Sequence, residues 1–127
     1  MRKYFPMHTK KIFIIEDDKM TIEILKFIFS KEGYELSISK DGLDAIERIP
    51  KEVPDLVLTD IMLPMKSGLE IIQFIKDNYA NIPVIALSSL GEEEATVLDA
   101  FKLGVDDFIA KPFSPNELLL RVKRFLK

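Results

Sequence analysis

The chain has 127 residues, 47% hydrophobic and 31% charged, which is the balance of one globular core. It has no cysteine, so disulfides and thiolate metal centres are excluded, as expected of a reducing cytoplasm, and no apolar run nears the ~18 residues needed to cross a bilayer. The net charge of −3 argues against direct nucleic-acid binding.

Met1 to Lys10 carries Arg2, Lys3 and Lys10 without an apolar stretch, and so reads as a solvated tail rather than a signal peptide. His8, the only histidine, belongs to that tail. The domain is expected from Lys11 to Lys127. Lys11–Ile15 (KIFII) is short, β-branched and aromatic, the pattern of a buried strand. Asp18 can cap a helix through Lys31, with Ile22, Leu25 and Phe29 on one stripe, Ile24 and Ile28 widening it, and Gly33 as its stop. Tyr34–Ser39 alternates like a strand near a sheet edge, and Asp41-Gly42 turns into a short helix expected to end before Pro50.

The second half repeats the scheme. Asp55–Thr59 (DLVLT) reads as a buried strand and Gly68–Asn78 as a helix with Leu69, Ile72 and Ile75 inward. Pro83–Leu87 is a strand, Glu92–Leu103 a helix closed by Gly104, and Asp107–Ala110 the last strand. Pro115 begins a final helix with Leu118, Val122 and Phe125 at core spacing. Such βα alternation requires a mainly parallel sheet with helices on both faces, and ligands bind such sheets beyond the strands' carboxyl ends.

At those ends stand Glu16, Asp17 and Asp18, then Asp60, then Ser88 and Ser89, then Lys111-Pro112. Singly, each has a plainer account: Asp18 caps a helix, the other acids could do the same, and a lysine is usually solvated. Capping leaves the long Ile61–Ser67 loop unexplained. Gathered on one rim, carboxylates stay ionised only around a cation, and a hard oxygen set with water positions suits Mg²⁺, with Mn²⁺ as a substitute. The metal would neutralise a phosphoryl group attacked by a carboxylate, Lys111 would pair with it, and Ser88 would donate a hydrogen bond.

The segments IFIIEDD, DLVLTDIMLPMKSG, PVIALSS and DDFIAKPFSPNELLLRVK resemble the receiver domains of two-component response regulators, across about residues 11 to 127. The resemblance implies a flavodoxin-like (βα)5 fold, a five-stranded parallel sheet of order 2-1-3-4-5, with a histidine kinase or phosphotransfer protein as phosphoryl donor. By position, Asp60 is the phosphoacceptor, Asp17 a direct metal ligand, Glu16 a ligand through water, and the Met62 carbonyl the remaining protein ligand. Ser88 is the switch hydroxyl and Lys111 the phosphate-pairing lysine, with a cis Lys111-Pro112 bond. Phe108 replaces a frequent switch tyrosine. Met62 and Leu90, bulky and unable to orient water, imply slow autodephosphorylation.

Leu98, Phe101 and Leu119, with the Asp107–Arg121 ion pair, match a face through which one subfamily forms homodimers on phosphorylation. Val97 there replaces a basic partner for Glu117, and burial of Leu98 and Phe101 in the core is the alternative. Three other function classes fit the sequence less well. An aspartyl-nucleophile phosphohydrolase needs a second Asp where Met62 stands, and a nucleotide-binding module needs a glycine-rich loop after a strand. A pseudo-receiver that never sees phosphate would need no complete set of pocket residues.

Overall fold

The computed structural model describes residues 9–63, 65–89 and 94–126. In chain order these form β1 (Lys11–Ile15), α1 (Lys19–Ser30), β2 (Glu35–Ser39), α2 (Gly42–Glu52), β3 (Leu56–Asp60), α3 (Gly68–Asn78), β4 (Val84–Ser89), α4 (Glu94–Lys102), β5 (Asp107–Lys111) and α5 (Pro115–Phe125). The strands pair in parallel in the order β2-β1-β3-β4-β5, as the sequence implied, with β2 at an edge. Because β1 pairs with both β2 and β3, the chain reverses its direction of travel there, and a crevice opens between the carboxyl ends of β1 and β3.

Alternation along the strands divides the core in two. Phe13, Ile15, Val57, Val84 and Ala86 face α2, α3 and α4, where they meet Ala45, Ile49, Ile71, Ile72, Ile75 and Ala100. Ile12, Ile14, Leu56, Leu58, Ile85, Leu87 and Ile109 face α1 and α5, against Leu25, Phe29, Leu118 and Val122. Both faces are covered, which is why the strands read as unbroken apolar runs.

The helix signals act as expected at most ends. The Asp18 carboxylate accepts from the Thr21 amide at 2.9 Å, and Gly33 and Gly104 take positive φ of 79° and 97°; on α3 Ser67 and Glu70 add a reciprocal cap the sequence reading did not name.

Several expectations are corrected. α2 does not stop before Pro50 but runs to Glu52, with the proline in its last turn and Val53 closing the helix at φ 42°. Glu52, the last residue of that turn, is held by Arg48 at 3.0 Å and by the Ser37 hydroxyl at 2.5 Å. Ile24 does not widen the buried stripe of α1 and faces solvent. β3, β4 and β5 run one or two residues further than expected, because ladder pairing continues through Asp60↔Leu87 and Ser89↔Lys111. His8, Leu90 and the expected α4 start at Glu92 lie outside the described residues. Among the described residues no helix is long and apolar enough to cross a membrane.

Candidate functional site

The strand extensions change how the site is held. Asp60, Ser88 and Lys111 are strand residues, fixed by the ladder rather than carried on loops, while Glu16 follows β1 directly and donates its amide to Ser39 O at 3.0 Å. Asp60 is also braced from below. The Gly68 amide donates to Ile61 O at 2.8 Å, and a Cβ on Gly68 would lie 2.3 Å from Asp60 O and 2.6 Å from Ile61 Cα. Only glycine allows α3 to start this close to the acid-bearing strand.

Glu16, Asp17 and Asp60 each present a carboxylate oxygen, and the three oxygens lie within 4.8 Å of one another. Glu16 is fully buried, and both of its oxygens are engaged: Oε2 accepts from the Asp18 amide at 3.0 Å and Oε1 from Lys111 Nζ at 3.1 Å. Lys111 Nζ also stands 3.5 Å from Asp60 Oδ2. Asp60 Oδ1 is buried and has no hydrogen-bond partner among the described residues. The Lys111-Pro112 peptide is cis.

The electrostatics follow from this crowding. Burial pushes the Asp60 carboxyl above its ordinary pKa, against the opposing pull of Lys111 and of the Ile61 and Met62 amides. Burial does the same to Glu16, with the neighbouring Asp60 charge adding to it and the Asp18 amide and Lys111 opposing. Burial disfavours the charge on Lys111, but Asp60 and Glu16 together hold its pKa above the usual lysine value. Among the described residues, Lys111 is thus the ammonium shared by Glu16 and Asp60, Asp17 adds a third carboxylate beside them, and Asp60 Oδ1 is left without a partner. A hard divalent cation fits that donor set.

Not every expected residue joins the cluster. Ser88 is buried at the same rim, but its hydroxyl donates to Ser89 O at 3.3 Å. Met62 turns its side chain to solvent. Phe108 is half-buried and stacks on Phe101, with ring centroids 5.8 Å apart and planes at 29°. Leu98 and Phe101 are exposed, so the reading of them as core is corrected. Leu119 is half-buried against the α1/α5 core, and the exposed leucine of α5 is Leu120, a residue the resemblance did not single out. Arg121 Nη1 donates to both Asp107 oxygens, at 2.8 and 2.9 Å, within the one chain, and Nη2 donates to Glu117 at 3.1 Å.

The family model described as the response regulator receiver domain matches residues 12–123. The chain belongs to that family. Among similar solved structures, a putative response regulator from Chloroflexus aurantiacus is 29% identical over 94% of this chain and 98% of that one, with a TM-score of 0.87. A CheY-like receiver domain protein from Methanospirillum hungatei is 28% identical over 94% of each chain, with a TM-score of 0.88. The signal receiver domain of a signal transduction histidine kinase from Syntrophus aciditrophicus is 32% identical over 93% and 90%, with a TM-score of 0.86. Receiver domains are signalling domains in which a phosphoacceptor role is general, and as a family they work with histidine kinases or phosphotransfer proteins.

Proposed function

We propose that this receiver domain accepts a phosphoryl group on Asp60 from a phosphohistidine of a kinase or phosphotransfer protein, and so switches the face formed by α4, β5 and α5. The observation that carries the reading is Asp60 itself: buried, raised in pKa, with Oδ1 unpaired beside Lys111 and the acidic pair. An Asp60 oxygen attacks phosphorus, the P–N bond breaks, and the imidazole leaves with the bonding pair. Lys111 pairs with the phosphoryl oxygens in exchange for its present contact with Asp60. Asp17, Asp60 and the Met62 carbonyl, with Glu16 through water, would hold Mg²⁺, which when bound would supply positive charge to the phosphoryl oxygens.

Ser88 gives up its bond to the Ser89 carbonyl and donates to the phosphoryl group. Phe108 then repacks into the vacated space and takes its stacking partner Phe101 with it. The domain acts on no substrate beyond its own acyl phosphate, and the bulky Met62 and Leu90 make hydrolysis of that bond slow. The rearranged face supports either an output partner or a second copy of the chain. Incubation with acetyl phosphate and Mg²⁺ tests the proposal: the wild type should gain one phosphoryl mass and Asp60→Ala none. Label on Asp60→Ala, or none on the wild type, refutes it. A beryllofluoride mimic that leaves the Ser88 and Phe108 resonances unmoved refutes the switch.

A further inference from the structure

Methionine is ordinarily a core residue. Here the methionines of the described residues are Met20, Met62 and Met65, exposed by 72%, 67% and 70%. They are not scattered. Met20 lies in the first turn of α1, three residues after Asp17, and Met62 and Met65 lie in the segment that follows Asp60. With no cysteine in the chain, these thioethers are the accessible oxidisable sulfur among the described residues.

Met62 is the one whose place is tied to Asp60. Between them Ile61 is buried in the core facing α2, α3 and α4, its amide donates to Leu87 O at 3.1 Å, and its carbonyl accepts from Gly68 at 2.8 Å. With Ile61 fixed inward, the next side chain is turned out at the rim, two residues from the acceptor. A thioether there is a poor hydrogen-bond acceptor and cannot hold a water. A sulfoxide oxygen is polar and can.

We propose that Met62 is a sulfoxidation site, and that its oxidation by hydrogen peroxide shortens the life of the phosphoryl group on Asp60; this rests on the reading of Asp60 as phosphoacceptor. In the oxidation the peroxide O–O bond breaks and an S–O bond forms. Sulfur gives up two electrons, and the remaining peroxide oxygen leaves as water. The sulfoxide oxygen accepts a hydrogen bond from a water beside the acyl phosphate. That water's oxygen attacks phosphorus, the bond from phosphorus to the Asp60 oxygen breaks, the carboxylate keeps the pair, and the water's proton leaves with inorganic phosphate or solvent.

The test uses the full chain. Protein treated with hydrogen peroxide is mapped for sulfoxides by peptide mass, charged with acetyl phosphate and Mg²⁺, and followed for loss of label beside untreated protein. One oriented hydrogen bond predicts a rise in the hydrolysis rate of about three- to tenfold. The peroxide effect should vanish in Met62→Leu, persist in a Met20→Leu/Met65→Leu double variant, and be reversed by methionine sulfoxide reductases. An unchanged lifetime with Met62 demonstrably oxidised overturns the proposal. An equal acceleration in oxidised Met62→Leu assigns the effect to general damage and also overturns it. Failure of untreated protein to take label at all would instead bring down the phosphoacceptor reading, and this inference with it.

Discussion

Two acidic clusters in this domain use the same side chains to opposite ends. Beside β2 and α2, Asp44 and Glu52 surround Arg48: Asp44 Oδ2 accepts from Ser39 at 2.7 Å and Arg48 at 3.0 Å, and each Glu52 oxygen has its own donor. The Ser39 hydroxyl and Arg48 hold Asp44 below its ordinary pKa, and for Glu52 the bonds from Ser37 and Arg48 outweigh burial and do the same. At the crevice, Glu16 and Asp60 are more deeply buried, share one lysine, and are pushed the other way. Matched donors make carboxylates into mortar. A deficit of positive charge, on a rigid strand ladder, leaves them able to take up a cation.

That contrast can be broken most sharply by substitution. Asp60→Asn should abolish phosphoryl labelling while leaving unfolding stability without Mg²⁺ unchanged or higher, because it removes a disfavoured buried charge. Glu52→Gln should keep its label. If both variants lose label, or both lose stability, the distinction fails. Next in size is Gly68→Ala, whose Cβ would meet backbone that cannot yield; an expected loss of about 3 kcal/mol in urea unfolding should come with weaker labelling. Adding Mg²⁺ to about ten times its dissociation constant should stabilise the wild type by ~1.4 kcal/mol, read as a rise in melting temperature that Asp17→Asn and Asp60→Asn lack. Removing the metal with a chelator should reverse it.

The smaller effects belong to the structural cluster. Glu52→Gln should cost about 1 kcal/mol at neutral pH, from two weakened hydrogen bonds. The sign of its pH dependence is set by the lowered folded pKa: the contribution is present above the unfolded value and is lost as pH falls through the folded one. The gap between Glu52→Gln and wild type should therefore narrow on acidification, and a gap that widens toward acid would contradict the assignment.

The parallel sheet and the meeting of Glu16, Asp17, Asp60 and Lys111 were legible in the sequence because buried parallel strands are continuous apolar runs, and strand ends in such sheets converge; the strand order came from the family resemblance alone. Pro50 misled because a proline's local cost was weighed without Glu52 and its tertiary partners. Ile24 misled because periodicity marks a helical stripe but not where the neighbouring helix stops covering it. The Arg48 network had no motif to announce it, since its acids and hydroxyls come from separate elements at irregular spacing. The need for glycine at position 68 arises from how closely α3 approaches β3, a distance no spacing encodes.

Phe108 and Lys111 belong to the same five-residue strand. One end of β5 places an ammonium against the acids, and three residues away, a path of about 10 Å, its aromatic ring leans on an exposed ring of α4. A molecule that touches Phe101 from outside is therefore connected to the crevice by a single short rod of backbone. If the proposed switch operates, that rod is the path by which a ligand on α4 would bias the chemistry at Asp60 without entering the pocket.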